Sequence, residues 1–329
     1  MELGIRLPTP VDPAGGDAHA IAERAARVEE LGFSSVWCMD HLLRADYGLG
    51  AATLDPVTVL PVLLTATRAI AVGTALLIAP LRQPVWLLKQ LGSLSALGGE
   101  RVLIGLGAGW ERREFAAVGV PRSERRQRLD LVLRSLATAR DQGELRLGAE
   151  LIEPAPARLG GVYVGGGSST VSREGTTQQR LAPSVLARIA DADGWIARST
   201  ASPEQLRADL DQIEAARTRA QPLRVLRTSF LNLSTQPRRD RAIEEQLAAY
   251  RAAGWSGSRA EFERTQPAGT IGDVLAQIAE LGAHGVSALV VQPVGDPDRQ
   301  LGLIGTELLA AAHAIGGPTS SAEGGKVGR

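Results

Sequence analysis

The sequence predicts an α/β fold, a (β/α)8 TIM barrel with insertions at the carboxyl-end loops. Short runs rich in β-branched residues alternate with helical stretches of about ten or more residues, which is the pattern of βα units. Eight such units fit into the 329 residues of the chain, a length that one barrel commonly occupies. Pro8-Thr9-Pro10 follows the first strand, whereas a doubly wound open sheet ordinarily has a glycine-rich turn there.

The predicted strands are apolar segments that end near Gly, Pro, Asp or Ser. They are residues 3–7, 34–39, 70–78, 101–106, 162–165, 194–197, 223–233 and 287–292. The fifth and sixth are short, and the other six are clearly marked. Because ligand groups of a closed barrel come from the loops after its strands, the polar residues at these ends are the candidates for a site.

The first predicted helix shows how clear the helical signal is. Asp17 is suited to its N-cap, and Gly32 is suited to the left-handed position after its end. Helical spacing relates Ile21, Ala25, Val28 and Leu31. Later helices are predicted over residues 56–67, 84–97, 122–140, 183–190, 203–219, 240–253, 270–281 and 298–315.

We expect residues 1–315 to form one domain and residues 316–329, rich in Gly and Ser, to be a disordered tail. Two connections are long, residues 43–55 and 166–182. Long loops at strand ends usually cover or shape a site. The first of them is expected to close an apolar pocket.

Composition excludes several classes of partner. Lys and Arg number 36, as do Asp and Glu, so no net field draws the chain to nucleic acid or to an anionic membrane. Cys38 is the one cysteine, which excludes an internal disulfide and any multi-cysteine metal site. We see neither an export signal nor a run of ~18 apolar residues. A small-molecule partner and a cytoplasmic location are expected.

Asp40 and His41 are the first candidates for chemistry. They directly follow the apolar run 35–39, so in a barrel they would point into the upper cavity. A neutral histidine there can donate one hydrogen bond and accept another. The alternative is a structural pair that closes the strand end. Cys38 fits a buried small hydrophobe better than a nucleophile, since no partner base can be identified.

Gly105, Gly107 and Gly109 superficially match a dinucleotide-binding fingerprint. Their spacing is GxGxG instead of GxGxxG, and Asp130 lies within a helical stretch instead of ending a second strand. The glycines are better explained by close approach of the backbone to a flat ring system, for which a missing Cβ is needed. A tight turn without a ligand is the alternative.

A second glycine-rich segment, residues 165–170 (GGGSST), follows the fifth strand. Its consecutive amides and hydroxyls would suit a phosphate, with a flexible loop as the alternative. The other histidines, His19, His284 and His313, show no metal-binding spacing. We therefore predict no metal site.

Several segments together resemble the luciferase-like oxidoreductase superfamily. They are residues 31–41 (LGFSSVWCMDH), 72–84 (VGTALLIAPLRQP), 99–110 (GERVLIGLGAGW), 113–115 (REF), 119–121 (GVP) and 192–195 (ADGW). Their order and spacing cover about the first 200 residues. Beyond Trp195 the likeness is only to the general barrel pattern.

The resemblance implies an interrupted (β/α)8 barrel, commonly a homodimer, that binds reduced FMN or the deazaflavin coenzyme F420 at the carboxyl ends of its strands. Asp40 and His41 would then lie beside the cofactor ring and the substrate, with His41 as proton donor or oxygen-orienting group. Ala75-Leu76 matches the site of a non-proline cis peptide that bulges against the ring. The implied cofactor contacts are Asp40, Thr74, Ala75, Leu76, Gly107, Ala108, Gly109, Trp110, Gly165, Gly166, Gly167, Ser168 and Ser169, the last five at the phosphate.

The sequence departs from the family pattern at two places that bear on its function. Trp110 stands where the deazaflavin sugar-phosphate dehydrogenases carry a catalytic glutamate, and Lys89 and Lys326 are the only lysines, so that substrate class is disfavoured. The loop after Gly167 is longer than the resemblance implies and contains Arg173 and Arg180.

The favoured function is hydride transfer between F420 and a small organic substrate. One alternative is an FMNH2-dependent monooxygenase that uses dioxygen and receives reduced flavin from a flavin reductase. The other is a barrel that binds a flavin or metabolite without turnover.

Overall fold

A closed barrel of eight parallel strands forms the centre of the molecule. The computed structural model describes residues 1–7, 10–11, 17–43, 52–147, 149–173, 176–252 and 255–312. The barrel strands are β1 Glu2–Arg6, β2 Ser35–Cys38, β3 Ala71–Ile78, β4 Val102–Gly107, β5 Gly161–Gly166, β6 Gly194–Ala197, β7 Arg224–Leu231 and β8 Ala288–Pro293. Each pairs with the next along the chain, and β8 pairs with β1. The predicted fold class is confirmed.

Helices follow the strands and cover the outside of the barrel. In the described parts of the chain they are α1 Ala18–Glu30, α2 Pro56–Ala66, α3 Pro84–Gly98, α4 Arg112–Ala117, α5 Arg125–Gln142, α6 Pro183–Asp191, α7 Pro203–Ala216, α8 Arg239–Ala252, α9 Arg259–Thr265, α10 Ile271–Ala283 and α11 Pro297–Leu303. Asp17 caps α1 by accepting a hydrogen bond from the His19 amide at 2.8 Å. Gly32 has a φ of 88°, as its predicted left-handed position requires.

Side chains of the strands alternate between two apolar layers. Leu3 and Ile5 of β1 belong to the large core between barrel and helices. A smaller cluster lies inside the barrel and contains Trp37, Ala75, Leu103, Tyr163, Ile196, Leu226, Ala288 and Val290. The Trp37 and Tyr163 rings meet edge to face with centroids 5.9 Å apart. Since side chains fill the barrel, a ligand has to bind above them, at the carboxyl ends of the strands.

The structure differs from the prediction mainly in short, polar elements. The predicted loop 166–182 contains an antiparallel hairpin of Ser169–Arg173 and Thr176–Arg180. Its Ser, Thr and Gln residues give no apolar period from which strands can be predicted. The short helices α4 and α9 are also unpredicted. Two-residue strands pair Pro10–Val11 with Ala52–Thr53, Arg146–Leu147 with Glu150–Leu151, and Leu233–Ser234 with Gly269–Thr270.

Other helix boundaries shift modestly. The predicted helix 122–140 begins with a 3-10 turn, Arg122–Glu124, before α5, and α11 continues into a π-helical segment, Ile304–Leu309. Residues 44–51 of the expected pocket-closing loop and the expected tail 316–329 lie outside the described residues. Among the described helices, none is long and apolar enough to cross a membrane.

Candidate active site

His41 pairs with a carboxylate that the sequence did not single out. It lies three residues after β2, is half-buried, and places Nδ1 3.2 Å from Oε1 of Glu114 in α4. The same oxygen accepts a hydrogen bond from the Leu42 amide at 2.9 Å. Burial raises the pKa of Glu114, but the hydrogen bond and charge of His41 and the amides of Leu43 and Leu42 outweigh it, so the pKa lies below its ordinary value. An ionised carboxylate only accepts, and therefore Nδ1 of His41 carries the proton.

Glu114 is held firmly enough to orient the imidazole. Its side chain is 1% exposed, and its second oxygen, Oε2, has no hydrogen-bond partner within the described part of the chain. The carboxylate charge is thus directed at His41 and the following amides through Oε1. A carboxylate that holds the proton on Nδ1 makes Nε2 the unprotonated nitrogen of the neutral ring.

Asp40 is held by hydrogen bonds and an ion pair within the protein. Its side chain is 4% exposed. The Ile78 amide donates to Oδ2 at 2.7 Å, and Arg82 donates to Oδ2 at 2.6 Å and to Oδ1 at 3.1 Å. Arg82 also pairs with Asp55, the N-cap of α2. Asp40 therefore joins the ends of β2 and β3 to the start of α2, and its place beside the cofactor ring and the substrate stays a prediction.

The β3 strand contains the cis peptide that the resemblance implies, between Ala75 and Leu76. The pairing of β3 with β4 shifts register between Thr74 and Leu77. The Thr74 hydroxyl donates to Gly105 O at 2.9 Å and accepts from the Gly105 amide at 3.0 Å, and its side chain is fully buried. Thr74 thus connects two strands, and its predicted contact with a cofactor is not supported by this arrangement.

Leu76 explains the glycines of the neighbouring strands. A Cβ on Gly165 would lie 2.2 Å from Leu76 Cδ1, and a Cβ on Gly107 would lie 3.0 Å from the same atom. A Cβ on Gly105 would lie 2.2 Å from Thr74 O. Packing inside the protein thus uses the space beside these glycines, and the approach of the backbone to a ring stays a prediction. Leu76 itself stays half-buried and presents an apolar edge above the barrel interior.

The loop after β4 runs along this edge. Gly109 has a φ of 70°, and a Cβ there would lie 2.6 Å from Ile78 Cγ2. Gly109 and Ala108 are half-buried, whereas Trp110 is 56% exposed. Arg122 donates to Trp110 O at 3.3 Å. The loop thus offers backbone and one indole at the opening of the barrel.

The loop after β5, where a phosphate site is predicted, makes hydrogen bonds to neighbouring elements. Ser168 is 2% exposed, and its amide donates to Oδ2 of buried Asp209 at 3.0 Å. Gly166 O accepts from Trp195 Nε1 at 2.9 Å. Because a carboxylate already occupies the Ser168 amide, a phosphate on the same donor would meet like charge. The Ser168 amide is thus already used within the protein, and phosphate binding by residues 165–169 stays a prediction.

Two exposed arginines border this loop. Gly167 packs on Arg198, since a Cβ there would lie 2.6 Å from Arg198 Cδ, and Arg198 donates to Ser168 O at 2.8 Å. Ser169 is exposed and pairs with Arg180 across the hairpin. The loop is thus positively charged at its surface although its buried amide faces an acid.

Two further sequence predictions concern cysteine and metal. Cys38 is fully buried, and burial raises the pKa of its thiol to about 12. It is therefore a neutral thiol at ordinary pH. Within the ranges that the structure describes, no group of three or more His, Cys, Asp or Glu side chains is arranged to hold a metal ion.

Sequence reasoning missed Glu114, Arg82 and Asp209. Glu114 lies within the REF segment of the family resemblance, and an acid beside buried Phe115 was the available signal for it. Arg82 likewise lies within the segment 72–84. Nothing in the local pattern marks Asp209, which lies in an ordinary amphipathic helix.

Comparison with known proteins gives some relatives that depend on F420 and others that depend on FMNH(2). An F420-dependent glucose-6-phosphate dehydrogenase from Amycolatopsis mediterranei (strain U-32) is 29% identical over 122 residues, 37% of this chain and 36% of that protein. An FMNH(2)-dependent dimethylsulfone monooxygenase from Pseudomonas fluorescens (strain Pf0-1) is 28% identical over 163 residues, 46% of this chain and 41% of that protein. The chain thus matches less than half the length of either relative.

A solved F420-dependent secondary alcohol dehydrogenase, in complex with an F420-acetone adduct, superimposes with a TM-score of 0.74 over 95% of this chain and 99% of that chain. At 14% identity this likeness shows the fold alone. The family model for luciferase-like monooxygenases matches residues 1–316. Its match includes the His41–Glu114 pair, the cis peptide of β3 and the glycine loops of β4 and β5. The chain therefore belongs to the luciferase-like monooxygenase family, whose members are flavin- or F420-dependent oxidoreductases.

Proposed function

We propose that this enzyme transfers a hydride between reduced coenzyme F420 and a small organic substrate, with His41 exchanging the proton. The observation that supports this most directly is the His41–Glu114 pair, with 3.2 Å between Nδ1 and Oε1. His41 follows β2, which pairs with β3, the strand that carries Leu76. The deazaflavin supplies the hydride when bound, and the protein supplies geometry and the proton.

The residues around the barrel opening fit a flat ring with an anionic tail. Half-buried Leu76 presents apolar surface, and the loop of Gly107, Ala108, Gly109 and Trp110 borders it. We propose that these residues and Ala75 hold the ring. We propose that the anionic tail runs along the backbone of Gly165, Gly166 and Gly167, and that Ser169, Arg180 and Arg198 supply the donors and cations that bind its phosphate.

His41 acts in this proposal as a general acid or base through Nε2. Ionised Glu114 holds the proton on Nδ1 and stabilises the imidazolium that forms when Nε2 takes up a second proton. Asp40 and Arg82 keep the loop that carries His41 against β3. Proton exchange at a positioned histidine is worth about 10²–10⁴ in rate.

Titration of the purified full chain with F420 and with FMN, each followed by absorbance and fluorescence, tests the cofactor. We expect F420 to bind and FMN to bind more weakly. Tight binding of FMN alone would favour the FMNH2-dependent monooxygenase, with dioxygen as co-substrate and a separate flavin reductase. If neither cofactor binds, the enzymatic proposal fails and the metabolite-binding barrel takes its place.

A further inference from the structure

Arg6 lies on the floor of the barrel opening. Leu3 and Ile5 of β1 face the helices, whereas a Cβ on Gly4 would meet Ser35 and Trp37 inside the barrel. Strand alternation places Arg6 on the Gly4 side. Arg6 is the last residue of β1 and is in register with Trp37 of β2. It is therefore adjacent to the strand that leads into His41.

Within the described part of the chain, the guanidinium of Arg6 has polar and aromatic neighbours but no counter-charge. Its Nε donates to Gln292 Oε1 at 2.7 Å, and its Cζ lies 5.3 Å from the Phe230 ring centroid. The side chain is 9% exposed, and burial lowers the pKa of Arg6 to about 10, which leaves it charged at neutral pH. Among the residues that the structure describes, none accepts a hydrogen bond from Nη1 or Nη2, and no carboxylate pairs with Arg6.

Three other buried or half-buried arginines have different partners. Arg82 has carboxylate partners in Asp40 and Asp55, and Arg188 has one in Asp130. Arg227 has none in the described ranges, but it faces the helices and donates from Nη2 to Ser199 O, Thr265 O and Gln266 Oε1. Arg6 alone among these four combines a missing carboxylate with a position inside the barrel opening. A buried charge without a counter-charge destabilises a fold unless a ligand supplies one.

We propose that Arg6 binds a carboxylate group of the substrate through its Nη1 and Nη2 edge. The planar edge offers two parallel N–H donors, which match a carboxylate in a bidentate arrangement. Gln292 fixes the guanidinium from the Nε side, and Phe230 supports its face. This inference rests on the proposed function, because it names the substrate class of that site.

The barrel topology supports the division of the opening into two halves. Arg6, Phe230 and Gln292 come from β1, β7 and β8, which are consecutive in the barrel. Leu76 and the glycine loops come from β3, β4 and β5 on the other side, and His41 follows β2 between them. A substrate anchored at Arg6 thus extends toward His41 without displacing a ring at Leu76.

Ligand-induced shifts in the thermal unfolding midpoint (Tm) test the inference. The probes are acetate, benzoate and hexanoate, with acetamide, benzamide and hexanamide as neutral counterparts and chloride to equalise ionic strength. We expect at least one carboxylate to raise the Tm of the wild-type chain while its amide does not. Arg6→Met should lower the affinity for that carboxylate by about 30-fold or more. Arg6→Lys should lower this affinity less, because it keeps the positive charge but loses the planar pair of N–H donors.

Arg224→Met is the matched control, since Arg224 starts β7 at the opposite end of the barrel and pairs with Glu2. It should leave the carboxylate response unchanged. The inference is overturned if no carboxylate raises the wild-type Tm, if the amides act as strongly as the carboxylates, or if Arg6→Met keeps the response. Titrating the same variants with F420 and FMN separates the two proposals, because cofactor binding should not depend on Arg6.

Discussion

The His41–Glu114 pair is the residue-scale feature on which the proposed chemistry depends. Glu114→Gln keeps the shape and the acceptor for the Leu42 amide, but it removes the charge that stabilises protonated His41. We expect kcat for the proposed reaction to fall by about 10²-fold, with little change in cofactor affinity. His41→Gln should produce a loss of similar or greater size, and the double variant should lose less than the product of the two losses.

A control for the pair is Glu144→Gln, which removes an exposed carboxylate that pairs with Arg146 far from the site. It should leave kcat unchanged. Additive losses in the Glu114 and His41 variants would contradict coupling between them. His284→Gln serves in the same way, since His284 is an exposed histidine at the end of α10.

Glu114 also predicts a dependence of stability on pH. Its folded-state pKa lies below the ordinary value, so its ionised form stabilises the fold at any pH above the unfolded pKa. That stabilisation falls away as the pH drops through the folded pKa. Urea unfolding of wild-type and Glu114→Gln chains should therefore show a stability difference that is constant near neutral pH and shrinks on the acid side. A difference that grows with acid would show the opposite sign of shift.

Cys38 gives a prediction that needs no cofactor. Burial raises the pKa of its thiol to about 12, and thiolate is the reactive form. The native chain should react negligibly with iodoacetamide at pH 8, and the chain in denaturant should react at one site. Rapid labelling of the native chain would show that the strand end opens or that the thiol is activated.

At the scale of elements, the contact between β3 and β5 at Leu76 and Gly165 allows a test of why residue 165 is a glycine. The reason is either packing against Leu76 or close approach of a ligand. Gly165→Ala places a Cβ only 2.2 Å from Leu76 Cδ1. We expect it to destabilise the fold by about 1–3 kcal/mol, the usual cost of overpacking. Adding Leu76→Ala should recover part of that loss, measured as a positive coupling in a double-mutant cycle of urea unfolding.

Gly119→Ala is the control variant for this double-mutant cycle. Gly119 has a φ of 66° but open space around its missing Cβ, so that variant should carry backbone strain that Leu76→Ala does not relieve. If Leu76→Ala does not restore part of the stability that Gly165→Ala loses, packing against Leu76 is not the reason for the glycine.

At the scale of the whole molecule, the surface of α3 is suited to the homodimer that the family resemblance implies. Trp86 is 69% exposed and Leu97 is 73% exposed on this helix, with Val85 at 41%. Large exposed apolar side chains grouped on one element commonly mark an interface. Light scattering should give a dimer for the wild-type chain and a monomer for Trp86→Glu. The exposed-site variant Lys89→Glu on the same helix should stay dimeric if apolar contact dominates.

Local patterns predicted the barrel but not the contacts that complete its site. All eight strands and most helices follow from apolar periodicity and end signals, such as Asp17 and Gly32 around α1. Glu114 lies 73 residues from His41 in sequence, and Gln292 lies 286 residues from Arg6. Pairs at such separations meet only because the barrel closes, and a single sequence carries no periodicity that relates them. The same limit explains Thr74 and Ser168, whose polar groups are used by partners on other elements.

The unbalanced charge of Arg6 bears on how this enzyme is engineered. Arg6 is buried and has no carboxylate partner among the residues that the structure describes. Its replacement by an apolar side chain of similar length is therefore expected to make the ligand-free protein more heat-resistant. A library screened only for survival on heating would therefore enrich Arg6→Met or Arg6→Leu early. Such a screen would discard the side chain proposed to select the substrate, so selection for robustness needs a carboxylate present, or a parallel screen for turnover, to keep it.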